Sequence, residues 1–116
     1  MKYENILVAV DTSEEAGQVL DAAIKLSNNG AGALSVLSVI RPLTNFYVDL
    51  YAVLGDKDTI ESEAIERTSA WLEELTSEHK DAVRETKVVV GPPAAEIRTV
   101  AEQMGADLIV LGTHGQ

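Results

Sequence analysis

Two places in this sequence hold residues whose types and spacing can do chemistry: Gly112-Thr113-His114-Gly115 and Asp11. Two glycines three positions apart let a backbone take positive φ and approach a ligand without Cβ interference. Consecutive N–H groups in such a loop form a concave donor nest suited to phosphate oxygens. Thr113 can add a hydroxyl donor and His114 an imidazole donor. The same four residues also describe a plain strand-to-helix turn, because glycine is the default turn residue. Asp11 has two readings as well. A carboxylate there can cap the first turn of a following helix, with Thr12-Ser13 sharing the work. It can instead accept a hydrogen bond from the exocyclic amine of an adenine, with backbone groups of Ala9, Val10 and Val39 supplying the base-edge contacts.

Other chemistry has little support. His79 stands between Glu78 and Lys80 and reads as a solvated surface residue. Two distant histidines and no cysteine offer neither a metal cage nor a nucleophile–His–Asp triad. Trp71, Leu72 and Leu75 read as a core stripe.

The elements that must position these groups follow from periodicity. Ile6–Val10 is a continuous apolar run rich in β-branched residues, as expected of a strand covered on both faces. Thr12 and Glu15 are spaced as a capping box ahead of a helix whose apolar stripe is Ala16, Val19, Leu20, Ala23 and Ile24. Asn28-Asn29-Gly30 can stop that helix. Leu34–Ile40 reads as a second strand, and residues 41–57 as a long loop. Asp58 with Glu61 suggests a second capping box, before a helix with Ile60, Ala64, Thr68, Trp71, Leu72 and Leu75 on its buried side. A third strand is predicted over Thr86–Val90. A turn at Gly91-Pro92-Pro93 leads to a helix with the stripe Ile97, Val100, Ala101 and Met104, stopped by Gly105. Leu108–Leu111 is predicted as a fourth, buried strand.

Four strands alternating with three helices predict an α/β fold, an open parallel sheet with helices on both faces. Ligands in such sheets bind beyond the carboxyl ends of the strands, where strand order reverses. If strand four pairs on the free side of strand one, Asp11 and the glycine loop face one crevice. The chain stops inside a Gly-rich loop, where the alternation asks for another helix and strand. Residues 1–116 are therefore expected to be a single domain, truncated at its C-terminus.

Composition narrows the partners. Nine Lys+Arg against 19 Asp+Glu give a formal charge of −10, and aromatics are only 4%. Such a chain repels a phosphate backbone and offers no stacking platform, so nucleic acid is excluded as a partner. No apolar run approaches the roughly 20 residues a membrane helix needs, so membrane insertion is not expected. The start of the chain does not have the form of a signal peptide, and a cytoplasmic location is expected.

Three segments then carry a family resemblance. Ile6-Leu7-Val8-Ala9-Val10-Asp11-Thr12-Ser13 resembles the first strand of the universal stress protein family. Gly91-Pro92-Pro93-Ala94-Ala95-Glu96-Ile97 is similar to its third-strand turn into a helix. The stretch Ala106-Asp107-Leu108-Ile109-Val110-Leu111-Gly112-Thr113-His114-Gly115 resembles the fourth strand and the start of the nucleotide loop. The resemblance implies a Rossmann-like sheet ordered 3-2-1-4-5, with strand 5 missing from this chain. Members with the full motif, G-x-x-G followed after nine residues by Gly and Ser or Thr, bind ATP or a related adenine nucleotide such as ADP or AMP, with or without Mg2+. Carried over by position, Asp11 contacts the adenine or ribose side, Ala9, Val10 and Val39 line the base pocket, and Leu111 flanks the ribose. Gly112 and Gly115 open the phosphate cradle around Thr113 and His114. The second half of the motif is absent here, as is the fifth strand that members commonly use to form dimers.

The expected function is that of an adenine-nucleotide-binding stress-response module with slow hydrolysis at most. It would act on an unidentified regulatory protein partner and form a homodimer in its full-length form. The alternatives are a nucleotide-independent interaction module and, less favoured, a nucleotide-hydrolysing enzyme, since no general base or activated nucleophile stands out. A phosphoacceptor receiver domain fails on residues. It needs an acidic pair after strand one and a carboxylate after strand three, whereas this chain has Asp11 alone and Val90-Gly91-Pro92.

Overall fold

The computed structural model describes residues 3–27, 32–42 and 57–112. Their elements are β1 (Ile6–Ala9), α1 (Ala16–Leu26), β2 (Leu34–Ile40), α2 (Lys57–Leu75), a 3₁₀ turn at Ser77–His79, β3 (Val83–Val90), α3 (Pro93–Met104) and β4 (Leu108–Leu111). The four strands form one sheet in the order β3-β2-β1-β4, and every pairing is parallel. The α/β fold read from the alternation of elements and the strand order implied by the family resemblance both hold over the described strands.

β1 is enclosed because both sheet faces are covered where it runs: Ile6, Leu7 and Val8 are all fully buried. One layer places Ala16, Leu20 and Ala23 of α1 and Leu72 of α2 against Ile6, Val8, Leu34 and Val36. The other sets Val100 of α3, with Ile97, Ala101 and Met104, against Leu7 and Leu37. The stripes on α1 and α3 are those the periodicity predicted.

α3 starts at Pro93, where a missing N–H costs nothing, and ends at Gly105 with φ +64°. Apart from its chain neighbours, nothing lies within 4 Å of the position a Cβ would take at Gly105, so glycine is required there by backbone conformation rather than by packing. Gly105→Ala is expected to lower stability by about 1–2 kcal/mol, the left-handed cost of an L-residue, measured as a lower urea midpoint. A midpoint at or above wild type would refute the cap.

Several boundaries differ from expectation. α1 begins at Ala16, and its N-cap residue Glu15 makes no side-chain cap bond, so the Thr12–Glu15 capping box does not form. The intervening residues turn instead, with the Ala16 N–H reaching the Ser13 carbonyl at 3.3 Å. α1 stops before Asn28, and Ser27 closes it by bonding the Ile24 carbonyl through both its N–H (3.1 Å) and its hydroxyl (2.6 Å). Residues 28–30 lie outside the described residues, as do residues 43–56 of the expected loop. Asp58 lies inside α2, so the helix starts ahead of the expected cap.

β3 starts at Val83, earlier than predicted, because Arg84 and Glu85 hide an edge strand's alternation behind charge. β4 is not a buried strand. Leu108 and Val110 pack on the α1 side, but Ile109 and Leu111 are 42% and 54% exposed. β4 is a sheet edge among the described residues, and α3 does not extend far enough across to cover its second face.

Candidate functional site

β4 runs parallel to β1 with Leu111 opposite Ala9, and the N–H of Gly112 donates to the Ala9 carbonyl at 3.3 Å. On β1's other side Ala9 lies opposite Leu37, whose carbonyl accepts the Val10 N–H at 2.9 Å. The strand order reverses between β1 and β4. Asp11 leaves β1 and Gly112 leaves β4 at the same end of neighbouring strands, the crevice position for ligands in open parallel sheets.

Strand alternation sorts the side chains around this crevice. Leu7 and Leu37 belong to the α3-side core with Val39 packed on it, so Ala9 and Leu111 share that face. Val10 is 5% exposed and belongs to the opposite core, so it can meet a ligand only through its backbone. Those backbone groups are partly committed, since the Val10 N–H bonds Leu37 and the Ala9 carbonyl already accepts Gly112. A base edge here would use the second lone pair of the Ala9 carbonyl or the carbonyl of Val10.

Asp11 Oδ1 accepts the N–H of Ser13 at 3.2 Å. The local turn-forming role is therefore real, although it shapes the β1–α1 turn rather than capping the helix. A carboxylate has roughly four acceptor positions, so this bond does not preclude an amine partner.

At Gly112 the reason for glycine differs from the one expected. The described glycines with positive φ are Gly32 and Gly105, and Gly112 is not one of them. A Cβ at Gly112 would instead lie 2.7 Å from Val19 Cγ2 on α1. Thr113, His114 and Gly115 lie outside the described residues, as does any geometry of a phosphate cradle there.

Other places are less suited to a ligand. His79 is not merely solvated: its Nε2 stands 3.6 Å from Asp21 Oδ1, an ion pair when the imidazole is protonated. Among the described residues no group of three or more His, Cys, Asp or Glu could hold a metal ion. No described helix is long and apolar enough to cross a membrane. An apolar groove of about 460 Å³ runs between α3 and β4, lined by Ala94, Ile97, Ala101, Ile109 and Leu111 with Arg98 and Glu102. Sequence reasoning missed this groove and the approach of Val19 to Gly112. A run of four apolar residues reads as buried whichever face is covered, and a contact between distant segments has no local signature.

Groups of the kinds that an adenine and its ribose would need are present at this end of the sheet. An acceptor carboxylate, a partly exposed apolar Leu111 and two strand-end carbonyls stand together where strand order reverses.

The fold and this crevice define an open parallel α/β module with a strand-end ligand position. The sequence profile of the Universal stress protein family matches residues 2–116, and the chain belongs to that family. It is 34% identical over 126 residues to a universal stress protein of Synechocystis sp., covering 99% of this chain and 81% of that protein. A putative universal stress protein of Staphylococcus haemolyticus is 27% identical over 123 residues, covering 99% of this chain and 69% of its own length. Among solved structures, hypothetical protein MJ0577 superposes with a TM-score of 0.77 at 25% identity, over 100% of this chain and 78% of that one. A universal stress family protein from Burkholderia pseudomallei gives 0.72 at 26% identity, over 97% of this chain and 83% of its own.

Proposed function

We propose that this universal stress protein binds an adenine nucleotide, ATP or its products ADP and AMP, in the crevice between β1 and β4. Occupancy, rather than turnover, is the output, read by a regulatory protein partner in the cytoplasm. The observation that carries the reading is the adjacency of Asp11 and Gly112 at the ends of paired strands. Asp11 accepts the exocyclic amine or a ribose hydroxyl, Leu111 lies against the sugar, and Val39 and the carbonyls of Ala9 and Val10 border the base. Phosphates lie toward Gly112 and the Thr113-His114-Gly115 segment. A chain of formal charge −10 opposes a polyphosphate, so Mg2+ brought in with the nucleotide strengthens binding.

Calorimetric titration with ATP, ADP and AMP, with and without Mg2+, tests this. Asp11→Ala is expected to weaken ATP at least about tenfold, as loss of one charge-assisted hydrogen bond does. Asp11→Asn keeps an acceptor for the Ser13 N–H and isolates the charge, so its smaller loss measures the ligand contact alone. Wild-type protein that binds none of the three nucleotides sinks the proposal.

The exposed groove between α3 and β4 favours a second reading, a nucleotide-independent interaction module. β4 carries no charge, whereas the opposite edge strand has Arg84, Glu85 and Lys87, so a homodimer of this chain would form on the β4 side. Sedimentation of wild type against Leu111→Asp checks it: a dimer made monomeric by the substitution is the expected result, and an unchanged mass rules this face out.

A further inference from the structure

We infer that Val19 is a positioning residue for the candidate nucleotide site, fixing by steric fit where Gly112 sits at the end of β4, beside the end of β1 that leads into Asp11. The inference rests on the nucleotide reading above. Val19 is on α1, partly buried against the core that α1 shares with β1 and β4. A Cβ built at Gly112 would meet Val19 Cγ2 at 2.7 Å, with Val19 Cβ at 3.6 Å and Cγ1 at 3.7 Å behind it. The first distance is about 1 Å inside ordinary carbon–carbon contact.

Neither side can yield cheaply. A valine within a helix has one strongly preferred χ1 rotamer, so its methyls cannot swing away. Gly112 is held on its other side by the 3.3 Å bond from its N–H to the Ala9 carbonyl, the last tie to β1 among the described residues. Because φ at Gly112 is not left-handed, alanine could adopt its backbone without strain. Glycine at 112 is therefore demanded by Val19. The methyls of α1 and the absent Cβ of Gly112 fit one space, and the chain leaves β4 from a position fixed by that fit.

A consequence concerns the most obvious test of the site. Loss of binding in a Gly112 variant does not by itself indicate a ligand against that residue, because the added side chain first displaces β4 from α1.

A double-mutant cycle separates the two causes, with urea stability and ATP affinity measured on wild type, Val19→Ala, Gly112→Ala and the double variant. Gly112→Ala is expected to lower the urea midpoint and, by displacing the end of β4 from its place beside β1, to weaken ATP about tenfold. Val19→Ala leaves a gap and weakens ATP by a smaller factor. In the double variant the new methyl occupies the space vacated on α1, and both stability and affinity return toward wild type.

Recovery of both readouts supports the positioning role. Recovery of stability without affinity overturns it and puts the ligand itself against Gly112. A Gly112→Ala protein as stable and as tight-binding as wild type also overturns it. Should Gly112→Ala fail to fold in either background, Val19→Ala alone decides: weaker ATP binding in a folded protein supports the role, and unchanged binding removes it. Wild-type protein that binds no nucleotide overturns the nucleotide reading, and the positioning role with it. That result is distinct from a wild type that binds while the cycle shows no coupling.

Discussion

Leu72→Ala is expected to destabilise the fold by about 2–5 kcal/mol, the usual cost of truncating a fully enclosed leucine and leaving a cavity. Leu72 is 0% exposed, while its neighbours on the same stripe, Trp71 and Leu75, are only partly buried. Among its described side chains, the nineteen-residue α2 thus has one fully enclosed anchor, near its carboxyl end, with Trp71 and Leu75 packed beside it. Leu72 lies in the same core as Leu34 and Val36 of β2, so the cavity opens beneath β2 rather than at the surface. A urea titration should show a lower midpoint at unchanged slope. Glu63→Ala, on the exposed side of the same helix, should stay within about 0.5 kcal/mol of wild type. A loss below about 1 kcal/mol for Leu72→Ala would mean that the surroundings collapse into the gap and that α2 is held elsewhere.

The contrast between Leu72 and its neighbours also shows what a sequence can and cannot specify. Spacing placed Trp71, Leu72 and Leu75 on one side of a helix, but not which of them is enclosed, because that depends on where the sheet ends. The stripes of α1 and α3 were legible for the opposite reason. Each lies over the middle of the sheet, so every apolar position finds a partner. Pro93 and Gly105 bounded α3 correctly because their constraints are local to the backbone. The amino half of β3 is hidden in the sequence because Arg84 and Glu85 are charged, although Ser35 opposite Glu85 continues the ladder.

The candidate site was half legible. Asp11 ending one apolar run and Gly112 ending another were visible as residue types, but their adjacency needed a strand order that only pairing supplies. The role of Val19 was beyond reach of periodicity, which scored it as one more core position on α1. The positive φ expected at Gly112 followed from a general habit of glycine. The structure replaces it with a particular neighbour.

The second large effect lies at the amino end of the sheet, away from the crevice. Asn5 joins three elements: its Nδ2 donates to the carbonyls of Met104 (2.5 Å) and Gly105 (3.0 Å), and its Oδ1 accepts from Arg84 Nη2 at 2.6 Å. Asp107 secures the same residue from below, taking the Asn5 N–H at 3.1 Å and returning its own N–H to the Asn5 carbonyl at 2.8 Å. The carbonyls at the end of α3, which a helix leaves without partners of its own, are thereby bonded to the lead-in of β1. Asn5→Ala removes three bonds and is expected to cost about 2–3 kcal/mol. Asn5→Asp discriminates the causes, since it keeps the shape and the Arg84 partner but sets a carboxylate against two carbonyls and the negative end of the α3 dipole. Both variants should be destabilised, and Asn5→Asp at wild-type stability would mean that the carbonyl bonds hold nothing. Because this clamp and the crevice lie at opposite ends of the β1–β4 pairing, whatever ATP affinity the proposed site gives the wild type should be kept by the folded fraction of Asn5→Ala. A parallel loss of affinity would instead show that four residues of paired strand transmit a disturbance from one end of the sheet to the other.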